Sequence, residues 1–188
     1  MKQAATLTEK QLKLVLAHCA TRRHAARDRA IVQVSFLAAL RAKEIAALTL
    51  ENVCGDDGSI REEFVLSADQ SKGQRARRVF LNTKLRKELA SYIGSVKRRQ
   101  NCSALFQSQK GKAFSPNTMC QLFMDIYRQC GIEGASSHSG RRTALSSMAD
   151  KAINIKIIAT IAGHSDIRTT SRYLSVTDRQ LRNAIELV

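Results

Sequence analysis

The last third of the chain carries histidine, arginine and tyrosine residues whose order could support chemistry on an anionic group. His138 and Arg141 are three positions apart, so both side chains can reach one small anion from a single helical turn. His164 follows Gly163, a residue type that commonly ends helices, so its imidazole is expected to project into a cleft. Tyr173 lies nine residues beyond His164.

Several familiar catalytic motifs are absent from the sequence. It contains no GxxxxGK[ST] phosphate loop, no GxGxxG and no HExxH. Carboxylates do not cluster with the spacing that two-metal phosphoryl chemistry needs, so an enzyme of nucleic acid would be expected to work without a metal. A short HxxR match is weak by itself, because His24 and Arg27 form another one, to which no chemistry is assigned.

The net charge points to a polyanionic partner. Lys and Arg number 31 against 16 Asp and Glu, which gives +15, and a basic folded domain most often binds nucleic acid. A merely basic surface, a ribosomal-type protein or a membrane-surface protein are the alternatives. The charge is uneven: residues 44–66 hold six acids and one base, whereas residues 71–99 hold ten bases and one acid. This asymmetry favours a directed binding face.

Length and hydropathy limit the class of protein further. A chain of 188 residues suits one domain with a real core, and 44% apolar residues exclude wholesale disorder. No apolar run is long enough to cross a membrane, and the N-terminus lacks the apolar core of a signal peptide. The five cysteines form no CxxC pair, which indicates reduced thiols in a cytoplasmic protein.

The residue pattern predicts a mainly α fold with a small antiparallel sheet, an α+β domain. A capping box at Thr8 opens one helix, and a second helix is predicted over residues 25–40, apolar nearly all round in its later half. A small sheet of two or three strands is expected, with strands at residues 63–66 and 78–81 around a polar turn. Further helices are predicted at residues 42–48, 83–98, 116–130, 138–150, 154–162, 165–174 and from 177.

Six positions resemble, in order and spacing, the catalytic domain of the tyrosine recombinases, or phage-type integrases. The family's first arginine motif appears as Ala39-Leu40-Arg41, its hairpin lysine motif as Ser71-Lys72-Gly73, and its TTxxY motif ends at Tyr173. The resemblance runs over residues 7–188, essentially the whole chain. The matched positions are Arg41, Lys72, His138, Arg141, His164 and Tyr173.

The resemblance implies that the protein cleaves and rejoins DNA through a 3′-phosphotyrosyl intermediate, with no metal, cofactor or ATP. Tyr173 would be the nucleophile, although a phenol needs a nearby base or positive field to become reactive at neutral pH. Arg41 and Arg141 would bind the non-bridging phosphate oxygens, for which the planar guanidinium fork is suited. Both arginines would stabilise the phosphorane-like transition state.

The remaining matched residues would move protons or orient the site. The resemblance implies that Lys72 protonates the leaving 5′-oxygen from a hairpin. His138 and His164 would donate hydrogen bonds to the phosphate or transfer protons, because imidazole titrates near neutrality. The resemblance also implies that Glu44 orients the site rather than reacting; the alternative is a plain ion pair with Arg41, which stands three residues earlier.

The chain departs from the family's pattern at three residues and in one domain. Ala39, Gly140 and Ala162 replace the family's usual glycine, leucine and leucine at positions that we expect to be packing positions rather than catalytic ones. The N-terminal DNA-clamping domain that most relatives carry is not expected in residues 1–188, which we interpret as a single catalytic domain.

Partners and alternatives follow from the same resemblance. Double-stranded DNA and homo-oligomers on that DNA are the expected partners, in the cytoplasm of a bacterium or as part of a phage or mobile element. The alternatives are DNA relaxation of the type IB topoisomerase kind, and a non-catalytic DNA-binding regulator on the same scaffold.

Overall fold

The computed structural model describes residues 3–71, 75–97, 99, 101–171 and 178–186, with only the backbone at residues 179, 180, 183 and 184. Within these ranges the elements are, in chain order, α1 (Glu9–Thr21), α2 (Ala25–Leu37), α3 (Ala42–Ala46), α4 (Leu50–Val53), β1 (Glu63–Leu66), β2 (Arg77–Phe80), α5 (Thr83–Ser95), α6 (Pro116–Gln129), α7 (Ser139–Asp150), α8 (Ile155–Ala162), α9 (Ile167–Ser171) and α10 (Asp178–Ile185). The predicted fold class, mainly helical with a small antiparallel sheet, is confirmed.

The two strands form an antiparallel hairpin against the helices. Glu63 pairs with Phe80, and Leu66 pairs with Arg77. Phe64, Leu66 and Val79 face inward and are buried, because successive side chains of a strand point to opposite faces. The second strand begins one residue earlier than residues 78–81 predict, and this brings Arg77 into the strand.

The core consists of two hydrophobic clusters. The larger one gathers side chains from α1, α2, α3, α5, α6 and the hairpin, with Phe123 and Leu89 fully buried. The smaller one lies between α7 and α8 and contains Leu145 and Ile158. Each fully buried side chain of this size stabilises the fold by about 1.5–3 kcal/mol. The polar site described below lies where these clusters meet, because its residues come from elements on both sides.

The helix predicted over residues 25–40 ends at Leu37, three residues early. Ala38 leaves the helical region, and Ala39 takes a positive φ of 51°. Alanine is the strongest helix former, so nothing in the local sequence signals this turn. The turn returns Leu40 to the core and brings Arg41 out as the residue that precedes α3.

Other boundaries also differ from their predictions. The helix expected over residues 83–98 ends at Ser95, and the one expected over residues 42–48 ends at Ala46. The short helix α4 was not expected; Thr49 caps it by accepting a hydrogen bond from the backbone N–H of Asn52. The predicted helix over residues 165–174 is present as α9, and its last three residues lie outside the described ranges. Among the described residues, no helix has the length and apolarity needed to cross a bilayer.

Candidate active site

A fully buried carboxylate, that of Glu44, lies at the centre of the candidate site. Its Oε2 atom accepts a hydrogen bond from the backbone N–H of Arg41 at 2.8 Å, which satisfies an amide at the start of α3. Its Oε1 atom lies 2.9 Å from Nη1 of the same arginine. Glu44 therefore orients Arg41 through both its backbone and its side chain.

Arg41 is the most accessible guanidinium around Glu44. Its side chain is 19% exposed, against 11% for Arg77 and 3% for Arg141. In the described part of the chain, its Nε and Nη2 atoms have no hydrogen-bond acceptor. Arg41 thus retains donors that can reach an anion from outside.

Arg77 is a site residue that the sequence interpretation missed. It extends from β2, and its Nη2 atom lies 2.8 Å from Oε2 of Glu44. Its Nη1 atom donates to the carbonyl of Ile161 at 3.0 Å, so it connects the hairpin to the end of α8. One signal was available: Arg77 is two residues from Val79, which places an arginine on the inward face of an amphipathic strand.

Arg141 is held rigidly in the interior. Its Nη1 atom donates to the carbonyl of Ala39 at 2.6 Å, and its Nη2 atom donates to the carbonyl of Ala162 at 2.5 Å. Nη1 also lies 4.0 Å from Oε2 of Glu44. The positive φ of Ala39 is therefore part of the site, because it directs this carbonyl towards Arg141. Position 39 was expected to matter for packing alone.

Gly140 lets α7 approach α2 closely enough to place Arg141. A Cβ atom at Gly140 would lie 2.4 Å from Oγ of Ser35 and 3.1 Å from Cδ2 of Phe36. Such distances are shorter than van der Waals contact. The glycine that replaces the family's usual leucine thus has a steric reason in this chain.

His164 contacts Arg141 through its ring. Its Nε2 atom lies 3.1 Å from Nη2 of Arg141, and its Nδ1 atom lies 2.9 Å from Oγ1 of Thr170. A guanidinium only donates hydrogen bonds, so Nε2 accepts and the ring proton resides on Nδ1, which donates to Thr170. Burial, and then the neighbouring charges of Arg141 and Arg41, lower the pKa of His164 to about 4.

The structure gives the charge and tautomer with which His164 would enter the expected chemistry. The sequence interpretation had this imidazole donate to a phosphate or transfer protons near neutrality. In the structure it is neutral at pH 7, and its Nε2 lone pair accepts from Arg141. Its neighbour Gly163 has a φ of 61°, and a Cβ there would lie 2.5 Å from Cδ of Arg77. Position 163 therefore requires glycine, because a side chain there would collide with the side chain of Arg77.

The site carries an excess of positive charge. Three guanidiniums surround one carboxylate, which leaves a local charge of about +2 in a largely buried place. Burial lowers the pKa of Arg77, while the attraction of Glu44 opposes that shift. A bound anion would relieve this repulsion among the arginines.

The other candidates lie at the margin of this cluster or outside the described residues. His138 precedes α7, is exposed, and its backbone N–H donates to Oγ of Ser136 at 3.2 Å. Lys72 and Tyr173 lie outside the described ranges. The structure thus brings together Arg41, Glu44, Arg141 and His164 among the sequence candidates.

Comparison with known proteins assigns the family. The sequence profile described as "Phage integrase family" matches residues 5–180. This chain belongs to the phage integrase family. It is 26% identical over 189 residues to the tyrosine recombinase XerD of Neisseria meningitidis serogroup A, covering 96% of this chain and 61% of the relative. The chain therefore spans about three fifths of the length of that relative.

Solved structures share the fold of this integrase-family chain. An integrase of the Tn1549 transposon, solved with a circular intermediate DNA, superposes with a TM-score of 0.83 at 17% identity, covering 100% of this chain and 67% of that one. The catalytic domain of bacteriophage HP1 integrase has a TM-score of 0.68 at 22% identity, covering 98% of this chain and 95% of that one. These similarities support the mainly α architecture described above.

Proposed function

We propose that this chain is a catalytic domain that cleaves and rejoins DNA at specific sites through a 3′-phosphotyrosyl intermediate, without metal or ATP. The observation that carries the proposal is the convergence of Arg41, Arg141 and His164 around the buried carboxylate of Glu44. Membership of the phage integrase family supports it. So does the likeness to the HP1 catalytic domain, which also supports one catalytic domain over residues 1–188.

The positive cluster is suited to a DNA phosphodiester. A phosphodiester carries one negative charge that repels nucleophiles, and guanidiniums on its non-bridging oxygens neutralise that charge. Arg41 offers accessible donors, and Arg141 adds a buried charge whose field is weakly screened. When the phosphate binds, Arg141 is expected to exchange the neutral His164 acceptor for an anionic oxygen, since charge-assisted bonds are stronger.

The proposed step transfers the phosphoryl group to Tyr173. The phenolic oxygen attacks phosphorus, and the bond from phosphorus to the 5′-oxygen breaks. The leaving 5′-oxygen takes a proton from Lys72, and the phenolic proton passes to Nε2 of His164, which is neutral and therefore able to accept it. The phosphotyrosyl bond preserves the energy of the phosphodiester, so the 5′-hydroxyl can reverse the reaction.

His138 and further copies of this chain also take part in the proposed reaction. His138 begins the helix that carries Arg141 and would donate a hydrogen bond to a phosphate oxygen. Exchange of strands between two DNA molecules requires several protomers, so duplex DNA and further copies of this chain are the proposed partners. The exposed Leu181 and Ile185 of α10 offer an apolar contact for such a copy.

A covalent adduct tests the proposal directly. The substrate is a pool of duplexes of random sequence that carry one bridging 5′-phosphorothiolate, because the released thiol does not reverse the cleavage. We expect a protein–DNA adduct, with the modified peptide identified by mass spectrometry as the one containing Tyr173. Tyr173→Phe should form none. Tyr127→Phe is the matched control, because the buried Tyr127 hydroxyl has no hydrogen-bond partner among the described residues.

The same phosphorothiolate substrate tests whether Lys72 acts by protonating the leaving 5′-oxygen. A thiolate leaves without protonation, so Lys72→Ala should form adduct on the phosphorothiolate while losing most activity on ordinary DNA. No adduct with the wild-type chain, or an adduct on a residue other than Tyr173, would overturn the mechanism. Supercoil relaxation without joining of two defined sites would instead support the topoisomerase alternative.

A further inference from the structure

A basic groove lies at the end of α2 that is remote from the candidate active site. Two adjoining cavities, of about 830 and 560 Å³, share the residues Arg23, His24, Arg27, Ser108 and Gln109. Their walls are the turn between α1 and α2, the end of α5 with the residues that follow it, the residues on either side of Ser108, and the start of α6. We call this surface the basic groove. It includes the HxxR pair His24 and Arg27, which the sequence interpretation left without a role.

The basic groove is separate from the Glu44 cluster. Residues 38–41 follow the C-terminal end of α2, whereas the groove lies at its N-terminal end. The 13 residues of α2 at 1.5 Å each place about 20 Å between the two. Successive phosphates of one DNA strand rise by about 3.4 Å along the duplex axis, so for a duplex parallel to α2 this distance corresponds to about six base pairs.

The groove carries positive charge that no nearby carboxylate neutralises. Five exposed basic side chains line it, and within the described residues none of them lies within ion-pair distance of a carboxylate; they are Arg23, Lys97, Arg99, Lys110 and Lys112. Its two acids are already paired. Asp28 lies 2.8 Å from Nε of Arg22 and 2.7 Å from Nη2 of Arg27. Asp125 lies 3.1 Å from Nη1 of Arg22.

Buried contacts hold the walls of the groove in place. Arg27 is buried, its guanidinium lies 5.1 Å above the ring of Phe114, and its Nη1 atom donates to the carbonyl of Gln107. The side-chain amide of Gln107 donates to the carbonyls of Arg99 and Cys102. The exposed basic residues therefore project from a fixed frame, so little entropy would be lost when an anion binds.

Two helix N-termini and one buried imidazole atom add to the potential for an anion. The starts of α2 and α6 both border the larger cavity, and helix N-termini attract negative charge. Among the residues that the structure describes, no side chain caps α2, whose N-cap residue is His24. The Nε2 atom of His24 is buried and has no hydrogen-bond partner among the described residues.

We infer that the basic groove binds the phosphate backbone of a DNA duplex that runs parallel to α2, about six base pairs from the phosphate at the Glu44 cluster. This inference rests on the proposed function for the position of that phosphate. A membrane surface is the poorer fit, because interfacial sites need exposed apolar side chains beside the basic ones, and the two aromatic residues that line the groove, Phe114 and Tyr92, are buried.

The salt dependence of DNA affinity tests the inference. The double variant Lys110→Gln and Lys112→Gln is compared with Lys10→Gln and Lys13→Gln, an equal charge change near the opposite end of α1. Affinity for a duplex of about 40 base pairs is measured by fluorescence anisotropy over a range of salt. Each lost phosphate contact lowers the slope of log affinity against log salt by about 0.9, so the groove variant should lose about 1.8. The control slope should not change.

Backbone footprinting locates the contact. Hydroxyl-radical protection should extend about six base pairs to one side of the cleaved phosphate in the wild type, and this outer protection should be absent in the groove variant. If both double variants have equal slopes and still form the adduct, the basic groove does not bind DNA, and the proposed function is unaffected. If the groove variant has a reduced slope but the wild-type chain forms no adduct, DNA binding by the basic groove is supported and the proposed function is contradicted. A slope that changes with duplex RNA but not with DNA would overturn the inference.

Discussion

The guanidinium of Arg77 forms an ion pair with the carboxylate of Glu44, although 33 residues separate them in the chain. The same guanidinium donates to the carbonyl of Ile161. One side chain thus joins the hairpin, the start of α3 and the end of α8. We conclude that Arg77 positions the two loops that carry Arg41 and His164.

Replacing Arg77 should impair the chemistry more than DNA affinity. In Arg77→Gln the buried Glu44 loses one ion-pair partner, and breaking a buried pair costs about 3–5 kcal/mol of folding stability. We expect adduct formation to slow by at least about tenfold, which corresponds to 1.4 kcal/mol, with DNA affinity nearly unchanged. The rate of adduct formation and the DNA affinity are measured on the same variant, and denaturant unfolding gives its free energy of unfolding.

Arg78→Gln is the matched control for that experiment. Arg78 is adjacent, but its ion pair with Glu63 is largely exposed, and such pairs contribute about 0–1 kcal/mol. Arg77→Lys should recover part of the adduct rate, because the charge beside Glu44 returns. A parallel loss of affinity and rate in Arg77→Gln would show that Arg77 binds DNA directly.

Glycine at position 39 should stabilise the protein. Ala39 has a φ of 51°, and a left-handed conformation costs a residue with a Cβ about 1–2 kcal/mol. Since Ala39→Gly keeps the carbonyl that Arg141 binds, we expect the free energy of unfolding to rise by about 1 kcal/mol, measured with denaturant. The adjacent Ala38→Gly, where φ is −106°, should destabilise instead. Equal effects at both positions would contradict the explanation.

Stability should decrease as the pH falls from about 6.5 towards 4. The pKa of His164 is about 4 in the folded chain and near 6.5 when unfolded, so the unfolded state binds more protons in this window. The full difference corresponds to about 3 kcal/mol, and because the ring is partly exposed we expect about 1–2 kcal/mol. The stabilising contribution is complete above pH 6.5.

The variant His164→Gln isolates this titration. Its unfolding free energy should change less between pH 6.5 and 4 than that of the wild type, since a glutamine does not titrate. His18→Gln, at a surface contact with Gln129, is the control for replacing a histidine remote from the Glu44 cluster. Identical profiles for the wild type and His164→Gln would show that the imidazole is not desolvated in solution.

A methyl group at Gly140 should be strongly destabilising. In Gly140→Ala the new Cβ meets Ser35 at 2.4 Å, so α7 must move away from α2 and take Arg141 with it. We expect a loss of about 1–3 kcal/mol, as for other overpacked contacts, together with slower adduct formation. The double variant Gly140→Ala with Ser35→Gly should recover part of both, which circular dichroism melting and the adduct assay measure.

Gly94→Ala is the control for replacing a glycine inside a helix where an added Cβ meets no neighbour. Gly94 lies near the end of α5, and a Cβ there would meet nothing within 4 Å. This substitution should leave stability unchanged or raise it by about 0.5–1 kcal/mol. If Gly140→Ala behaves like Gly94→Ala, the close approach of α7 and α2 does not depend on glycine.

The sequence by itself determined the family, the mainly α fold with one hairpin, and the residue types of the site. Those properties follow from motif order and hydrophobic period, both of which are local in the chain. It also placed Glu44 beside Arg41, because a contact over three residues lies within one helical turn.

Only the tertiary structure decided which charges meet and in what protonation state. Three residues acquire their roles from groups that are distant in sequence. Arg77 pairs with Glu44, and the carbonyl of Ala39 accepts a hydrogen bond from Arg141. His164 contacts Arg141 in the desolvated region between the two core clusters. The low pKa of His164 results from burial among arginines, which no local pattern reports. The basic groove likewise assembles segments near residues 23, 99 and 110 that only folding brings together.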